Sequence, residues 1–208
     1  VIGTLLIYDN IGAEDDKTYP DGVSRMNCRD FADILQTQIT SDIKKLYDPA
    51  WNRRGLWGNR GYSESYRPNV PAALLELLSH HNFLDMKFGN DPRFRFDASR
   101  AIYKAMLRFI AFQNGYDPVI QPLPPNQAAL TITPDRHLLF QWQPVTDPLE
   151  PSARAVSYVV YQRINDGGFD NGTPVKKTEF VLEHPEPGTI YSFRVAAVNA
   201  GGESFPSE

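Results

Sequence analysis

Two stretches of sequence decide the fold of the C-terminal part of the chain, Leu138-Leu-Phe-Gln-Trp-Gln143 and Ile190-Tyr-Ser-Phe-Arg-Val-Ala-Ala-Val198. Large apolar side chains in both recur at every second position, which is the period of a β-strand with one buried face. Similar short runs occur at 130–133, 157–163 and 179–182, with turn-forming residues between them. Several strands of this length with regular turns predict an all-β sandwich.

In detail, residues 123–208 resemble a fibronectin type III module, which is an immunoglobulin-like sandwich. Trp142 stands where that family has its buried tryptophan, and Tyr191 stands where it has its tyrosine corner. The last residues resemble the family's usual exit, which a final strand normally follows. We therefore expect either more sequence after Glu208 or a very short last strand.

Strand-like and helix-like segments alternate in the N-terminal part. Val1–Tyr8 is typical of a strand, and a helix is expected from Ser24 to about Tyr47. The apolar run Val70–Leu78 predicts a strand buried on both faces, and Asp91 or Asp97 can start a last helix. The expected buried stripes are Phe31, Leu35, Ile39, Ile43 and Leu46 in the first helix, and Ile102, Ala105, Met106, Phe109 and Ile110 in the last. This order predicts an α/β domain with a parallel or mixed sheet covered by helices.

The boundary between the two patterns is rich in proline. Prolines hold the chain extended, so Gly115–Pro125 suits a semi-rigid linker. We expect an α/β domain at 1–116, a linker at 117–125 and a fibronectin type III domain at 126–208. Because the chain starts directly in a strand-like segment, we also expect further sequence before Val1.

Composition excludes some functions. The net charge is −4, and no basic stripe is present, so we expect no nucleic-acid partner. Cys28 is the single cysteine, which excludes an internal disulfide. No apolar run approaches the length of a membrane span, so we expect no transmembrane segment.

Glu76 is the most informative polar residue. A carboxylate within an apolar strand must be paired, protonated or close to a metal, because a bare buried charge is too costly. Glu76 also lies near the carboxyl end of its predicted strand, where α/β sheets build their sites. The alternative is that it lies at the wet end of the strand and pairs with a surface arginine.

Several motifs carry a second family resemblance, namely Gly3-Thr-Leu-Leu-Ile-Tyr8, Asn52-Arg-Arg-Gly-Leu56, Val70-Pro-Ala-Ala-Leu-Leu-Glu76, and the spacing of Asn82 and Asp85 after the glutamate. Together they resemble the C-terminal half of the zinc-dependent N-acetylmuramoyl-L-alanine amidases. One departure is that Leu78-Ser79 replaces the family's usual Gly-Phe.

The resemblance implies a secreted, periplasmic or envelope-associated bacterial hydrolase of peptidoglycan in which Glu76 is catalytic. It also implies zinc, held by two histidines and a glutamate that would fall before Val1. Adjacent His80 and His81 do not form a chelating pair, so no metal ligand is assigned in this chain. The candidate substrate contacts are Arg54, Trp57, Arg67, His81 and Asn82. Arginines and aromatic rings can bind peptide carboxylates and sugar faces, or they can anchor a long loop.

Two other functions fit the same residues. The chain can be a non-catalytic glycan-binding protein with a degenerate amidase fold, or a polysaccharide lyase of the xanthan type. A lyase needs a base and a cation beside a uronic acid, and Tyr62 or Tyr66 with Arg67 are the candidates.

Overall fold

A computed structural model describes residues 2–10 and 17–207. The chain divides into two compact units, Val1–Asp117 and Pro118–Glu208. The first unit is a mixed α/β structure and the second is a β-sandwich. The predicted fold class is therefore confirmed for both parts of the chain.

The first unit contains a small mixed sheet. Its elements are β1 (Thr4–Tyr8), α1 (Asn27–Leu46), β2 (Arg53–Gly58), α2 (Ser63–Tyr66), β3 (Ala73–Glu76), α3 (Phe83–Gly89) and α4 (Pro92–Asn114). The strand order is β2-β1-β3. Strand β1 is parallel to β2 and antiparallel to β3, as expected of a mixed sheet.

Helix α1 packs against one face of this sheet and against α4. Leu35, Ile39 and Ile43 are buried as predicted, whereas Leu46 is 41% exposed. The predicted start at Ser24 is wrong, since the residue at the N-cap is Met26. The hydroxyl of Ser24 instead accepts a hydrogen bond from the Met26 amide, so it caps the turn before the helix.

Helix α4 begins at Pro92, and the Asp91 carboxylate accepts a hydrogen bond from the Arg93 amide at 2.9 Å. The predicted stripe is wrong in part, because Met106 and Ile110 are 47% and 45% exposed. The buried face consists of Phe94, Ala98, Ala101, Lys104, Ala105, Phe109 and Ala111. Small alanines allow two helices to approach closely, which is a packing requirement that apolar periodicity does not reveal.

Strand β3 is shorter and more exposed than predicted. Only Ala73–Glu76 of the expected Val70–Leu78 forms a strand, and none of its residues is buried. Val70 is 58% exposed. Among the described residues β3 pairs with β1 alone, so it lacks the second neighbour that a central, doubly covered strand has.

Buried polar groups tie the elements of the first unit together. The Gln36 side-chain amide on α1 donates to the carbonyl oxygens of Thr4, at 2.9 Å, and Gly55, at 2.5 Å. The Trp51 indole nitrogen donates to the Thr4 hydroxyl at 2.8 Å. Because Gln36, Thr4 and Trp51 are buried, these bonds also avoid the cost of leaving a buried polar atom without a partner.

A buried ion pair joins the two long helices. Lys104 Nζ on α4 lies 2.6 Å from Asp42 Oδ2 on α1, and the side chains are only 2% and 6% exposed. Two opposite charges at this distance compensate each other's loss of hydration.

The second unit is an antiparallel sandwich. Its strands are β4 (Asn126–Ile132), β5 (Leu138–Gln143), β6 (Ser157–Ile164), β7 (Thr173–Val175), β8 (Glu179–Leu182), β9 (Tyr191–Asn199) and β10 (Gly202–Glu203). They form the sheets β4-β5-β8 and β10-β9-β6-β7. Trp142 is 2% exposed in the core, and the Tyr191 hydroxyl accepts a hydrogen bond from the Glu186 amide at 3.0 Å. Both are the positions that the fibronectin type III resemblance assigned.

The start of the second unit is part of its packing. Ile120 is fully buried. Its amide donates to the Ser152 hydroxyl at 3.1 Å, and its carbonyl accepts from the Asn199 side chain at 2.8 Å. Part of the proline-rich segment predicted as a linker is thus held against the sandwich.

The last strand, β10, has two residues, and two serines extend its pairing with β9. The amides of Ser204 and Ser207 donate to the carbonyls of Ala197 and Val195, both at 2.8 Å. The serine hydroxyls accept from the amides of the same two residues at 2.9 and 3.2 Å. Side-chain oxygens therefore stand where a longer strand would supply carbonyls.

Candidate functional site

A bulge in strand β2 sets the direction of two adjacent arginines. The parallel register pairs Thr4 with Arg53 and Leu5 with Gly55, so Arg54 is the extra residue. Gly55 has a φ of 95°, a backbone conformation that favours glycine. Bulges of this kind turn a side chain away from its regular direction, and here they separate Arg53 from Arg54.

Arg53 is directed to helix α1. Its Nε donates to Gln36 Oε1 at 2.8 Å, and its guanidinium pairs with Asp33 at 2.5 Å. Arg54 lies instead near β3, where its Nη1 is 3.6 Å from Glu76 Oε2. One arginine therefore supports the fold and the other lies beside the predicted catalytic residue.

Glu76 is not lodged in an apolar interior. Its side chain is 44% exposed and that of Arg54 is 34% exposed. The expectation of a carboxylate inside a doubly buried strand is wrong, and the alternative of an ion pair at the wet end of the strand describes the position. An exposed pair at this distance contributes little to stability. Because both side chains are also partly exposed to solvent, a ligand can reach them.

Trp57 lies on the same face of the sheet as Glu76. Leu56 and Leu75 pack into the core under the helices, and side chains alternate along a strand, so Trp57 and Glu76 point to the other face. Trp57 is 47% exposed, and its ring meets the Tyr62 ring edge-on at 6.0 Å.

Arg67 follows helix α2, which packs against β1 and β3. Its guanidinium lies 6.0 Å from the centre of the Tyr66 ring, and that of Arg60 lies 5.8 Å from the same ring. Tyr66, one of the two bases considered for a lyase, is therefore flanked by two cations.

His81 and Asn82 follow β3 in a turn. The rings of His80 and His81 are exposed and contact each other with their centres 3.9 Å apart. The Asn82 side-chain oxygen accepts from the amides of Leu84 and Asp85 at 3.0 and 3.2 Å. This oxygen caps helix α3, which leaves the amide nitrogen of Asn82 for any substrate contact.

Asp85 holds this turn in place. It is fully buried, and its two carboxylate oxygens accept from the amides of Ile2, at 3.0 Å, and Ser79, at 2.9 Å. The carboxylate therefore fixes the residues after Glu76 to the segment before β1. In the sequence, Asn82 and Asp85 stood out only as a family spacing, and the contacts of Asp85 with Ile2 and Ser79 have no signal in the local sequence.

Sequence reasoning missed a buried carboxylate at the end of β1. The Asp9 side chain is fully buried, with Arg25 Nη1 at 3.3 Å and Arg60 Nε at 3.4 Å. Arg25 also lies over the Tyr19 ring, whose hydroxyl contacts the Cys28 sulfur at 2.9 Å. Burial raises the pKa of Tyr19, and the bond to Cys28 adds to this, so the phenol stays protonated and Cys28 has a structural partner.

The described part of the chain contains no group of three or more His, Cys, Asp or Glu side chains that could hold a metal. The amidase resemblance places the zinc ligands before Val1, outside these residues. Among the same residues, no helix is both long enough and apolar enough to cross a membrane.

An α/β unit followed by an immunoglobulin-like sandwich is thus the class of protein that the fold defines. A family model described as "PBP1-like, fibronectin3-like domain" matches residues 141–207. The C-terminal unit therefore contains a fibronectin3-like domain of the PBP1-like kind.

Solved structures also match this chain. The twitchin kinase region from C. elegans matches 42% of it at 24% identity, with a TM-score of 0.37, and the match spans 15% of the twitchin chain. Domains A168–A170 of titin match 42% at 21% identity, with a TM-score of 0.37, over 30% of the titin chain. A structure described as a myokine matches 42% at 19% identity, with a TM-score of 0.35, over 92% of its own chain.

Proposed function

We propose that this chain acts in a bacterial cell-wall hydrolase, a zinc-dependent N-acetylmuramoyl-L-alanine amidase that acts on peptidoglycan. The bond cut is the amide between the lactyl group of muramic acid and the first alanine of the stem peptide. The observation that supports this most is the position of Glu76 at the carboxyl end of β3, accessible to solvent and on the sheet face that also carries Trp57. In this proposal the protein works outside the cytoplasm, either secreted, periplasmic or bound to the envelope.

Glu76 is the proton carrier in this proposal. An amide hydrolase needs a base to take a proton from the attacking water and an acid to return it to the leaving amine, and one glutamate can do both in turn. Such a group must reach solvent, and the Glu76 side chain is 44% exposed.

Arg54 and Trp57 supply binding in this proposal. A guanidinium can exchange an exposed protein carboxylate for a carboxylate of the stem peptide, because both present the same planar pair of oxygens. The exposed Trp57 ring is a flat apolar surface against which a sugar face can pack. Arg67, His81 and the Asn82 amide nitrogen lie on the loops that flank β3 and complete the proposed contacts.

The zinc of this proposal must be held by residues outside those described, because the described residues form no metal-binding group. Glu76 is consequently the residue on which the hydrolase proposal can be tested within this chain.

The test compares Glu76→Gln with Glu64→Gln, a change at an exposed glutamate of the same unit. The full-length protein, including the residues before Val1 that would hold the zinc, is incubated with purified peptidoglycan, and released stem peptides with a free N-terminal alanine are measured by mass spectrometry. We expect Glu76→Gln to lower the rate by about 100-fold or more and Glu64→Gln to leave it unchanged. Undiminished cleavage by Glu76→Gln would overturn the assignment.

A second function, non-catalytic binding of cell-wall glycan, is favoured by the ion pair itself. Arg54 compensates the Glu76 charge at 3.6 Å, so the glutamate also fits a role in an ion pair beside a binding surface. If this function is correct, the unchanged chain sediments with insoluble peptidoglycan and releases no peptide. Trp57→Ala would then reduce sedimentation, whereas Phe83→Ala, a change at a 75% exposed ring on α3, would not.

A further inference from the structure

Two arginines of the sandwich lie on the outer face of its four-stranded sheet. Val160 and Val195 are buried in the core, so by alternation Arg163 on β6 and Arg194 on β9 point away from it. The loop after β6 returns alongside this strand, where Phe169 pairs with Arg163 in an isolated antiparallel bridge. The Asp170 amide donates to the Gln162 carbonyl at 2.9 Å, and the Asp170 carboxylate accepts from the Gln162 amide at 3.1 Å.

The ring of Phe169, in this loop, contacts the guanidiniums of both arginines. Its centre lies 5.2 Å from the guanidinium carbon of Arg163 and 4.7 Å from that of Arg194. The two cations are therefore no further apart than the sum of these distances. An aromatic ring attracts each cation, but the cations repel each other.

Gly172 allows the loop to approach this closely. Its φ is 82°, and a Cβ there would lie 2.4 Å from a methyl carbon of Val159. The close approach of this loop to Val159 therefore depends on the glycine at position 172.

The arginines have no acidic partner in the part of the chain that the structure describes. Arg163 donates to the Ser192 hydroxyl at 3.2 Å, while its Nε is buried and has no hydrogen-bond partner among the described residues. The nearby acids are already engaged. Glu203 accepts from the Tyr161 hydroxyl at 2.5 Å, and Asp170 accepts from backbone amides.

We propose that Arg163 and Arg194 form a carboxylate-binding site for an acidic polysaccharide. Two guanidiniums held beside one ring present several donors, and an anion between them relieves their mutual repulsion. The flanking Asp170 and Glu203 favour a singly charged carboxylate over a doubly charged phosphate. The half-buried Tyr161 ring is the cross-strand partner of Arg194 and packs beside Gly172; its exposed part can contact the sugar.

The site is tested with the full chain and oligogalacturonate, whose methyl ester is the matched neutral probe. We expect calorimetry to detect binding of the acid and none of the ester. Arg163→Gln and Arg194→Gln should each weaken binding about tenfold, because each removes a charge-assisted contact. Arg154→Gln, at an exposed arginine in the 144–156 loop, is the control and should bind like the unchanged chain.

Two further measurements keep the outcome decisive. The double variant Arg163→Lys with Arg194→Lys retains both charges but loses the planar guanidinium groups that bind a carboxylate through two hydrogen bonds. It should therefore bind more weakly than the unchanged chain. Arginine Nε signals in nuclear magnetic resonance spectra of the unchanged chain should shift on titration at these two residues. The proposal fails if oligogalacturonate does not bind, if Arg154→Gln weakens binding equally, or if polyphosphate or polyglutamate binds as tightly. The result is independent of Glu76 and of amide cleavage.

Discussion

Both units pack aromatic rings in their cores, as Trp51 and Phe94 do in the first unit at 5.9 Å, but the first unit also joins its two long helices by a buried ion pair. In the first, polar side chains join the elements, as in the Lys104–Asp42 pair and the Trp51 bond to Thr4. In the second, the core is a set of touching rings, with Trp142 lying 5.5 Å from Phe140 and 5.3 Å from Tyr158. A polar contact fails when either partner is lost, whereas ring packing weakens with the volume removed. The first unit should therefore be the more sensitive to changes of charge.

The largest effect is expected for Lys104→Ala. It leaves the Asp42 carboxylate buried without its cation, and breaking a buried pair in this way costs about 3–5 kcal/mol. The measurement is urea unfolding followed by helical circular dichroism, because the two long helices belong to the first unit.

The control for Lys104→Ala replaces both partners, as Lys104→Met with Asp42→Leu. Removing both charges avoids the bare carboxylate, so most of the lost stability should return. A single variant as stable as the unchanged chain would contradict the view that charge holds the helices together.

A smaller effect compares the two buried tryptophans directly. Trp51→Phe removes the donor to the Thr4 hydroxyl, while the Trp142 indole nitrogen has no partner among the described residues. Since a lost buried hydrogen bond costs about 1–3 kcal/mol, Trp51→Phe should destabilise its unit more than Trp142→Phe destabilises the sandwich. Thermal melting of each variant tests this, and equal losses would remove the contrast between the units.

A still smaller effect is expected at the bulge. Gly55→Ala places a side chain at a φ of 95°, which costs about 1 kcal/mol. Arg54 should also move away from Glu76. The stability is measured by urea unfolding, with Gly188→Ala, also at positive φ in a turn of the sandwich, as the matched control. If Gly55→Ala changes peptidoglycan binding and Gly188→Ala does not, the bulge positions a ligand contact.

The smallest effect concerns pH. The hydrogen bond to Glu203 raises the pKa of Tyr161 to about 12 from its usual value of 10.0. A pKa raised in the folded state stabilises the fold below pH 10, and this contribution is lost as the pH rises towards 12. The stability difference between the unchanged chain and Tyr161→Phe should therefore shrink across that range, as urea unfolding at each pH will measure. A constant difference would show that the bond does not discriminate between the two protonation states.

The sandwich was the more predictable unit because its strands alternate regularly and its turns are marked by glycine and proline. The positions of Trp142 and Tyr191 followed from the fibronectin type III resemblance. The segment around Ile120 did not, because its burial depends on contacts with Ser152 and Asn199 that are distant in sequence.

The first unit was less predictable because apolar residues surround its last helix. Periodicity located α4 but assigned Met106 and Ile110 to the buried face, and both are exposed. The buried face includes Ala98 and Ala101 instead. The candidate site was harder still. Glu76 was singled out as a carboxylate within a buried strand, but it is exposed beside Arg54, and this pairing depends on the backbone of Gly55, which no side-chain pattern encodes.

The serines after β10 have a consequence for solubility. An open strand edge offers unpaired amides and carbonyls to which another molecule can add a strand, and this is a common route to aggregation. Ser204 and Ser207 occupy the amides and carbonyls of Ala197 and Val195 on that edge. The backbone amides and hydroxyls of these two serines thus close β9 to an added strand at Val195 and Ala197.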